Sequence, residues 1–293
     1  MKFGKVLHPE QIDFTLPDDH PDTAAALGNH NGREPFNVYV GCAKWSRQDL
    51  KGFYPSGIKD ELTYYASQFN AIELNATFYR MPNKQQVITW ASKTPDNFRF
   101  FPKISNQISH IRRLMKVEEP VRYFCDSVQG FNGKLGMTFL QMHENFQPKN
   151  FDRVAEFVEG FPRDIPLALE LRNKIWFTDQ QIFDDYCRLL QEHDRTNIIV
   201  DTAGRRDMLH MRLTSNSAFI RYVGANHETD YTRLDDWVQR IVRWRSQGLQ
   251  NLSFFIHQNI EKESPLLSAY FIRKLNLACG LSLNVPALPN IKG

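Results

Sequence analysis

Short apolar runs alternate with longer amphipathic stretches along most of the chain, beginning at Phe36. The stretches between the runs carry apolar residues at helical spacing, as in Leu62, Tyr65, Ala66 and Phe69. The runs predict eight β-strands, at residues 37–41, 71–75, 98–103, 135–141, 166–171, 197–201, 218–222 and 252–257. Strands that alternate with helices favour a parallel sheet, and eight such units favour closure into a barrel.

The sequence therefore predicts an α/β fold that consists of a single (β/α)8 TIM barrel. A chain of 293 residues has room for one such barrel, which needs about 250 residues, and for a tail. The first 35 residues contain Pro, Asp, Gly and Asn in the proportions of loops, which predicts an irregular N-terminal extension. We expect residues 1–35 to form this extension and residues 36–293 to form the barrel domain. A doubly wound sheet is disfavoured because no Gly-rich turn follows the first strand.

Composition excludes several classes of function. The net charge of +3 is too small to indicate nucleic-acid binding by itself. The four cysteines are scattered without a CxxC pair, which argues against a thiolate zinc site and a disulfide framework and favours a reducing compartment. No apolar run approaches the roughly 20 residues that span a bilayer, so we expect a cytoplasmic protein with no membrane partner. Phosphate-binding loop, HExxH and GxSxG sequences are also absent.

Polar side chains recur where the predicted strands end, which is where barrel enzymes place their catalytic groups. The residues concerned are Glu73, Asn75, Lys103, Gln141, Glu170, Arg172, Arg221 and His257. Because side chains alternate across a strand, Glu73 shares a face with Asn75, and Glu170 shares one with Arg172. A charge that faces the helices is costly without a partner, so the mouth of the barrel is favoured. Simple ion pairing is the alternative, with Glu73 bound to Lys103, and Glu170 to Arg172 or Arg221.

Distinctive sequence blocks follow one another at residues 41–45, 53–55, 73–82, 100–103, 108–110, 140–141, 170–172 and 221–224. The block at 73–82 reads Glu-Leu-Asn-Ala-Thr-Phe-Tyr-Arg-Met-Pro and is the most specific. In the content and order of these blocks the chain resembles the YecE-like family, catalogued as domain of unknown function 72, over residues 37–259. The resemblance implies a TIM-barrel fold, and it implies no reaction because the family has no established activity. The chain departs from the family pattern at residues 142–144 and 257–259.

The first functional hypothesis is an enzyme or binding protein for an anionic small molecule, such as a sugar phosphate or a carboxylated sugar. Arg80, Arg172 and Arg221 are suited to bidentate capture of phosphate or carboxylate. Glu73 and Glu170 are candidates for acid/base catalysis, since paired carboxylates divide these roles when their surroundings separate their pKa values.

The remaining residues of this hypothetical site have supporting roles. Lys103 is a further catalytic candidate. The candidates for substrate contact are Lys44, Asn75, Gln141 and His257, with Trp45, Tyr79 and Trp176 as stacking walls. A Schiff base at Lys103 is disfavoured at this point, because an ion pair with Glu73 would raise the pKa of the amine.

Two alternatives stay open. The basic segment 110–116, with Arg205 and Arg206, suits binding or processing of nucleic acid. A divalent metal is the second alternative, although no cofactor is evident and no pair of ligands has a dedicated spacing. Its candidate ligands are Glu73, His110, His143, Glu170, Asp201 and His257. The sequence leaves the oligomeric state open.

Overall fold

A computed structural model describes residues 4–28 and 35–288, so the predicted extension and barrel domain lie partly outside the described residues. Eight strands form where the apolar runs predict them. They are β1 (Asn37–Cys42), β2 (Ala71–Leu74), β3 (Arg99–Pro102), β4 (Thr138–Gln141), β5 (Leu167–Glu170), β6 (Thr196–Thr202), β7 (Ser217–Gly224) and β8 (Asn251–Gln258).

Helices connect the strands, and each of the longer ones buries the apolar face that its sequence predicts. Leu62, Tyr65 and Ala66 are buried on α2, whose first turn is capped by the side chain of Asp60, which accepts a hydrogen bond from Thr63 N at 2.9 Å. The helices are α1 (Asp22–Leu27), α2 (Glu61–Gln68), α3 (Ala76–Tyr79), α4 (Lys84–Ser92), α5 (Glu118–Val128), α6 (Phe151–Gly160), α7 (Ile175–Thr178), α8 (Gln180–Glu192), α9 (Thr229–Gln247) and α10 (Ser264–Cys279). None of these described helices is both long and apolar enough to cross a membrane.

The strands form two parallel sheets and not the single continuous ladder of the predicted (β/α)8 barrel. Six strands pair in the order β1-β8-β7-β6-β5-β4 in a curled half-barrel, and β2 pairs only with β3. Between β3 and β4 the backbone contacts are isolated, with Gly136 N donating to Phe100 O and Ile104 N donating to Phe139 O, both at 2.8 Å. The prediction of an α/β fold is confirmed, whereas a closed eight-stranded ladder is not.

Side chains bridge the gap between β1 and β2. The hydroxyl of Tyr65 accepts a hydrogen bond from Cys42 N at 2.7 Å and donates one to Ala71 O at 3.1 Å. The side-chain amide of Asn70 donates to Val38 O at 2.7 Å and accepts from Val40 N on the same strand. A Cβ atom at Gly41 would lie 2.1 Å from Ala71 O, so only glycine allows this close approach.

Inside the curled sheet an apolar layer lies beneath a polar one. The apolar layer is mostly aromatic, with the rings of Phe101 and Phe255 4.8 Å apart and those of Phe139 and Phe219 5.5 Å apart. Two residues further along the same strands, or just beyond their ends, stand Lys103, Gln141, Arg221 and His257. Because residues two apart share a strand face, this spacing places a polar layer directly above the aromatic one.

The segment 4–28 lies across the outside of the strands and is held mainly by buried cations. Arg233 is sandwiched between Phe14 and Tyr222, with its guanidinium carbon 4.3 Å from each ring centroid. Asp19 accepts hydrogen bonds from Arg240 at 2.6 Å and from Trp244 at 3.0 Å. The extension predicted to be irregular thus contains a short helix, α1, and its described residues are packed against the domain.

Replacing Tyr65 by phenylalanine should destabilise the fold by about 1–3 kcal/mol, because the buried Cys42 N and Ala71 O lose their shared partner. Denaturant unfolding measures this loss. Tyr64→Phe on the same helix is the matched control, since the Tyr64 hydroxyl makes no hydrogen bond within the described ranges. Equal stability of the two variants would contradict the bridging role of Tyr65.

Candidate functional site

Arg221, on β7, is the centre of the polar layer and is fully buried. Its Nε and Nη2 atoms each donate to one carboxylate oxygen of Glu73 on β2, both at 2.8 Å. Its Nη1 atom donates to Glu170 on β5 at 2.5 Å. One guanidinium thus joins three strands from both sheets, and the fork geometry of arginine is what permits it.

Each carboxylate is completed by further donors. Glu73 also accepts from Asn75 at 2.8 Å and lies 3.0 Å from Nε2 of His257, which must be the protonated nitrogen because a carboxylate only accepts.

Glu170 has a similar set of additional donors. It accepts from Arg172 Nε at 2.5 Å, and both of its oxygens lie 3.0 Å from Nε2 of Gln141. Both glutamates are therefore saturated with donors.

These donors keep both glutamates ionised. Burial by itself would raise the pKa of Glu73, but the charges of Arg221 and His257 outweigh it and hold the pKa well below its usual range. For Glu170, burial is likewise outweighed, here by Arg172 and Arg221, and its pKa falls to about 2. The acid/base role expected for the two glutamates from the sequence therefore does not suit this geometry, since neither binds a proton near neutral pH.

Lys103 follows the end of β3 and differs from its neighbours in its partners. The predicted ion pair between Lys103 and Glu73 is wrong, because Glu73 is fully used by other donors. The Nζ atom instead donates to Oε1 of Gln141 at 2.7 Å and lies 4.1 Å from the ring centroid of Phe78. Burial, followed by the charges of Arg221 and Arg172, lowers the pKa of Lys103 to about 7, against the opposing effect of Glu170 and Glu73.

The residues nearest to solvent are Lys103 and Arg172 together with partly buried neighbours. Lys103 is 7% exposed and the Arg172 side chain is 14% exposed, whereas Glu73, Glu170 and Arg221 are at most 2% exposed. We call Lys103, Arg172, Asn75, Phe78 and His110 the rim. The carboxylates thus lie beneath a rim whose charged groups are cationic.

Phe78 and His110 had no assigned contact with substrate in the sequence prediction. Phe78 packs against the imidazole of His110, with ring centroids 4.9 Å apart, and burial together with the Lys103 charge lowers the pKa of His110 to about 4. His110 lies in a π-helix at Gln107–Ile111, a form that is frequent at functional sites. From the sequence, His110 is a candidate metal ligand and the first residue of the basic segment 110–116.

The β3–α5 connection is strained just beyond this π-helix. Arg113, Leu114 and Lys116 all have left-handed backbone angles, with φ of 52°, 65° and 51°. Such angles are costly for residues other than glycine and concentrate at functional sites. Arg113 also binds Asn145 on the next connection, at 2.9 Å from Oδ1. The basic segment noted in the sequence therefore lies in a strained connection that begins at His110 of the rim.

Four predicted site residues lie apart from this hydrogen-bonded cluster. Lys44 is exposed and 3.8 Å from Asp49, and Trp45 packs edge-on against Trp90 at 6.0 Å. Tyr79 is 76% exposed. Arg80 lines a separate cleft of about 550 Å³ together with Trp90. The bend of the chain into α3 directly after β2 is what turns Tyr79 and Arg80 away.

Two further residues face away from the mouth. Trp176 is fully buried and donates to Phe146 O at 2.7 Å, so it is not a stacking wall. Asp201 faces the helices, where Arg233 donates to it at 2.9 Å and Trp237 at 2.7 Å. The expected cost of a charge on that face is thus offset by dedicated donors.

The predicted metal ligands do not converge. Within residues 4–28 and 35–288, one group of three ligating side chains lies close together, and it consists of His20, Asp22 and Asp184. Arg212 already donates to Asp22 and to Asp184, at 2.5 Å each. That group is therefore an ion-paired contact between the extension and α8.

Arg221→Met should destabilise the protein by about 3–5 kcal/mol, because two buried carboxylates lose their main counter-charge. The deficit should shrink as pH falls from 8 to 5. Without the guanidinium, burial raises the carboxyl pKa values, so the native variant takes up protons that the unfolded chain does not.

Denaturant unfolding at several pH values measures this effect. Arg188→Met is the control, since it removes an exposed ion pair to Asp185 and should cost less than about 1 kcal/mol. A deficit for Arg221→Met that is small, or independent of pH, would show that the cluster does not depend on Arg221.

Comparison with known proteins extends over most of the chain. Residues 39–290 match the sequence profile of the family described as Protein of unknown function DUF72. The UPF0759 protein YecE of Escherichia coli K12 is 25% identical over 274 residues, covering 86% of this chain and 97% of its own length. The UPF0759 protein YunF of Bacillus subtilis 168 is 29% identical over 151 residues, covering 48% of this chain and 52% of its own length.

Solved structures with the same fold are DUF72 family proteins. That of Enterococcus faecalis V583 matches with a TM-score of 0.67 at 19% identity, over 85% of this chain and 100% of its own. That of Thermotoga maritima MSB8 matches with a TM-score of 0.66 at 23% identity, over 82% of this chain and 99% of its own. These identities are low, so the structures establish similarity of fold alone. Because the family profile matches residues 39–290, the chain belongs to the DUF72 family.

Proposed function

We propose that the chain binds a small anionic molecule, such as a sugar phosphate or a carboxylated sugar, at the carboxyl ends of its strands, and that Lys103 transfers protons there. The observation that carries this proposal is the separation of charges in the polar layer. Glu73 and Glu170 are fully buried and paired, whereas Lys103 is 7% exposed and the Arg172 side chain is 14% exposed. An anion that enters the mouth therefore meets cations first.

The charge balance supports an anionic ligand. The two glutamates are balanced by Arg221 and Arg172, so protonated Lys103 adds a positive charge without a carboxylate partner among the described residues. A ligand anion beside Lys103 would supply that partner and raise the pKa of the amine. Ligand binding and proton uptake by Lys103 are thus coupled.

The same amine suits acid/base catalysis. General bases are most effective when their pKa lies near the working pH, and the pKa of Lys103 is about 7. Glu73 and Glu170 take a positioning role, since they fix Arg221 and Gln141 beneath the rim. The reaction classes that need one such group at neutral pH include proton abstraction beside a carbonyl, as in lyases and isomerases.

We also propose that the two sheets close into one (β/α)8 barrel, which the N-terminal extension precedes. The bridging hydrogen bonds of Tyr65 and Asn70 support closure between β1 and β2, and those of Gly136 and Ile104 support closure between β3 and β4. The contacts of Arg221 with both sheets support it further. In a closed barrel, the rim would surround the mouth at the carboxyl ends of the strands.

Glucuronate should bind the wild type, and its affinity should fall about tenfold between pH 6 and pH 8.5, because Lys103 loses its proton. Loss of one charge-assisted hydrogen bond costs about 1.5–3 kcal/mol, and 1.4 kcal/mol is tenfold in affinity. Titration calorimetry with glucuronate, glucose 6-phosphate and glucose measures this, with glucose expected not to bind. Lys103→Arg stays charged and should lose the pH dependence.

Arg172→Gln should lower the affinity for glucuronate at every pH. Arg243→Gln, which changes an exposed arginine on α9, should leave that affinity unchanged. Affinity that is independent of pH in the wild type, or an equal loss in both arginine variants, would count against the site. A single-stranded oligonucleotide that binds with steep salt dependence, while sugar acids do not bind, would favour nucleic acid as the ligand.

A further inference from the structure

We infer that Lys103 acts as a nucleophile, and that its amine forms an imine with the carbonyl group of an anionic aldehyde or ketone. This inference rests on the proposed binding of an anion at the rim, and it names the substrate class as small carbonyl compounds with a phosphate or carboxylate group. Three features of Lys103 support it. Its amine donates to an uncharged amide, its surroundings are apolar and cationic, and it lies at the carboxyl end of a strand.

Among the described residues, the amine of Lys103 has one hydrogen-bond partner, Gln141, which is oriented from below. Both oxygens of Glu170 lie 3.0 Å from the amide nitrogen of Gln141, which fixes that end of the amide downwards. Its carbonyl oxygen therefore faces Lys103, 2.7 Å from Nζ. A neutral acceptor holds the amine in place without stabilising the ammonium form as a carboxylate would. The other N–H positions of Nζ have no hydrogen-bond acceptor among the described residues.

The surroundings of the amine favour its neutral, nucleophilic form. Phe78 covers it from one side, with the ring centroid 4.1 Å from Nζ. The charged and titratable groups that act on it are Arg221 on β7, Arg172 beyond β5, Glu170 on β5, Glu73 on β2 and His110 in the π-helix. Both glutamates are bound to the two arginines. An apolar wall and neighbouring cations are the two features that activate lysine nucleophiles.

The position of Lys103 is also well defined. Its backbone N donates to Leu74 O at 3.1 Å, and its carbonyl oxygen accepts from the Thr77 hydroxyl at 2.7 Å. The amine stands at the carboxyl end of β3, where barrel active sites are built. Lys103 is 7% exposed, and the neighbouring Arg172 side chain is 14% exposed.

The reaction balances without a redox partner. The lone pair of the neutral amine forms a bond to the carbonyl carbon, and the carbonyl electron pair moves onto its oxygen. That oxygen takes up both hydrogens of the amine and leaves as water, so the C–O bonds break and a C=N bond forms. One further proton from solvent gives the protonated imine. Its N–H can donate to Gln141 Oε1, as the ammonium does. The cationic imine then accepts the electron pair of an adjacent C–H bond, whose proton passes to solvent water, and a neutral enamine is formed.

Reductive trapping tests the inference on the full-length protein. The probes are dihydroxyacetone phosphate and pyruvate, each with cyanoborohydride at pH 7.5, and the readouts are intact mass and peptide mapping. We expect one adduct per chain, of the probe mass less one oxygen atom, on Lys103. An amine of pKa about 7 is mostly neutral at this pH, whereas an ordinary lysine is about 0.1% neutral. Labelling of Lys103 should therefore exceed that of Lys149 at least tenfold.

Variants separate a specific site from general amine reactivity. Lys103→Met and Lys103→Arg should both lose the adduct, and Lys149→Met should keep it, with thermal unfolding used to verify that each variant folds. The rate of labelling in the wild type should rise with pH, with a midpoint near 7. Gln141→Leu should retain labelling at Lys103 and shift this midpoint lower, because the ammonium loses its acceptor. A purely structural role of Gln141 would leave the midpoint unchanged.

Binding of glycerol 3-phosphate and lactate, which lack a carbonyl group, distinguishes this inference from the proposed function. If these compounds bind but Lys103 is not labelled, the imine is wrong and anion binding stands. If Lys103 is labelled but they do not bind, the imine stands and the anion site is wrong. Equal labelling of exposed lysines, or unchanged labelling in Lys103→Arg, would overturn the inference.

Discussion

Arg221 donates to Glu73 through two nitrogens and to Glu170 through the third, and these bonds join strands that belong to different sheets. The free-energy cost of burying two carboxylates without a cation would be prohibitive. A single lysine could not contact both carboxylates with the geometry that the arginine fork permits. The two-stranded sheet has few backbone bonds to its neighbours, so this contact is a principal link between the sheets. The arrangement of the whole polar layer depends on it.

The same bonds determine the chemical character of the mouth. Because Arg221, Arg172, Asn75 and His257 occupy the glutamate oxygens, Lys103 has no carboxylate partner, and burial and the neighbouring arginines lower its pKa to about 7. The side chain with a pKa near neutral is therefore Lys103, and neither of the two glutamates in the same layer. Stability and reactivity have one origin here, since the ion pairs that compensate the buried charge also leave the buried amine without a carboxylate partner.

A second buried ion-pair network repeats this principle on the outer face. Asp201 and Asp230 bind Arg233, whose guanidinium lies between Tyr222 and Phe14 of the extension. The charge that would be costly against the helices thereby becomes a binding surface for segment 4–28. The two networks lie on opposite faces of neighbouring strands, with Arg221 inside and Asp201 outside, as alternation along β-strands requires.

Local pattern was sufficient for the elements of this protein, because the period of apolar residues depends only on neighbours along the chain. All eight strands and the buried face of α2 lie where that pattern predicts them. The presence of Glu73, Asn75, Lys103, Gln141, Glu170, Arg172, Arg221 and His257 in one layer also followed from their positions at strand ends.

The pairing of Glu170 with Arg172 or Arg221 was one of the sequence alternatives, and both bonds form, but the other partners within that layer were decided by tertiary structure. Sequence reasoning paired Lys103 with Glu73, whereas the separation of the strands gives Glu73 to Arg221 and Lys103 to Gln141. It also placed Arg80 and Tyr79 at the site, from which the turn after β2 removes them. Residues far apart in the chain compete for the same oxygen atoms, and distances across the sheet determine the outcome. Those distances, and hence the pKa of Lys103, are properties of the assembled fold.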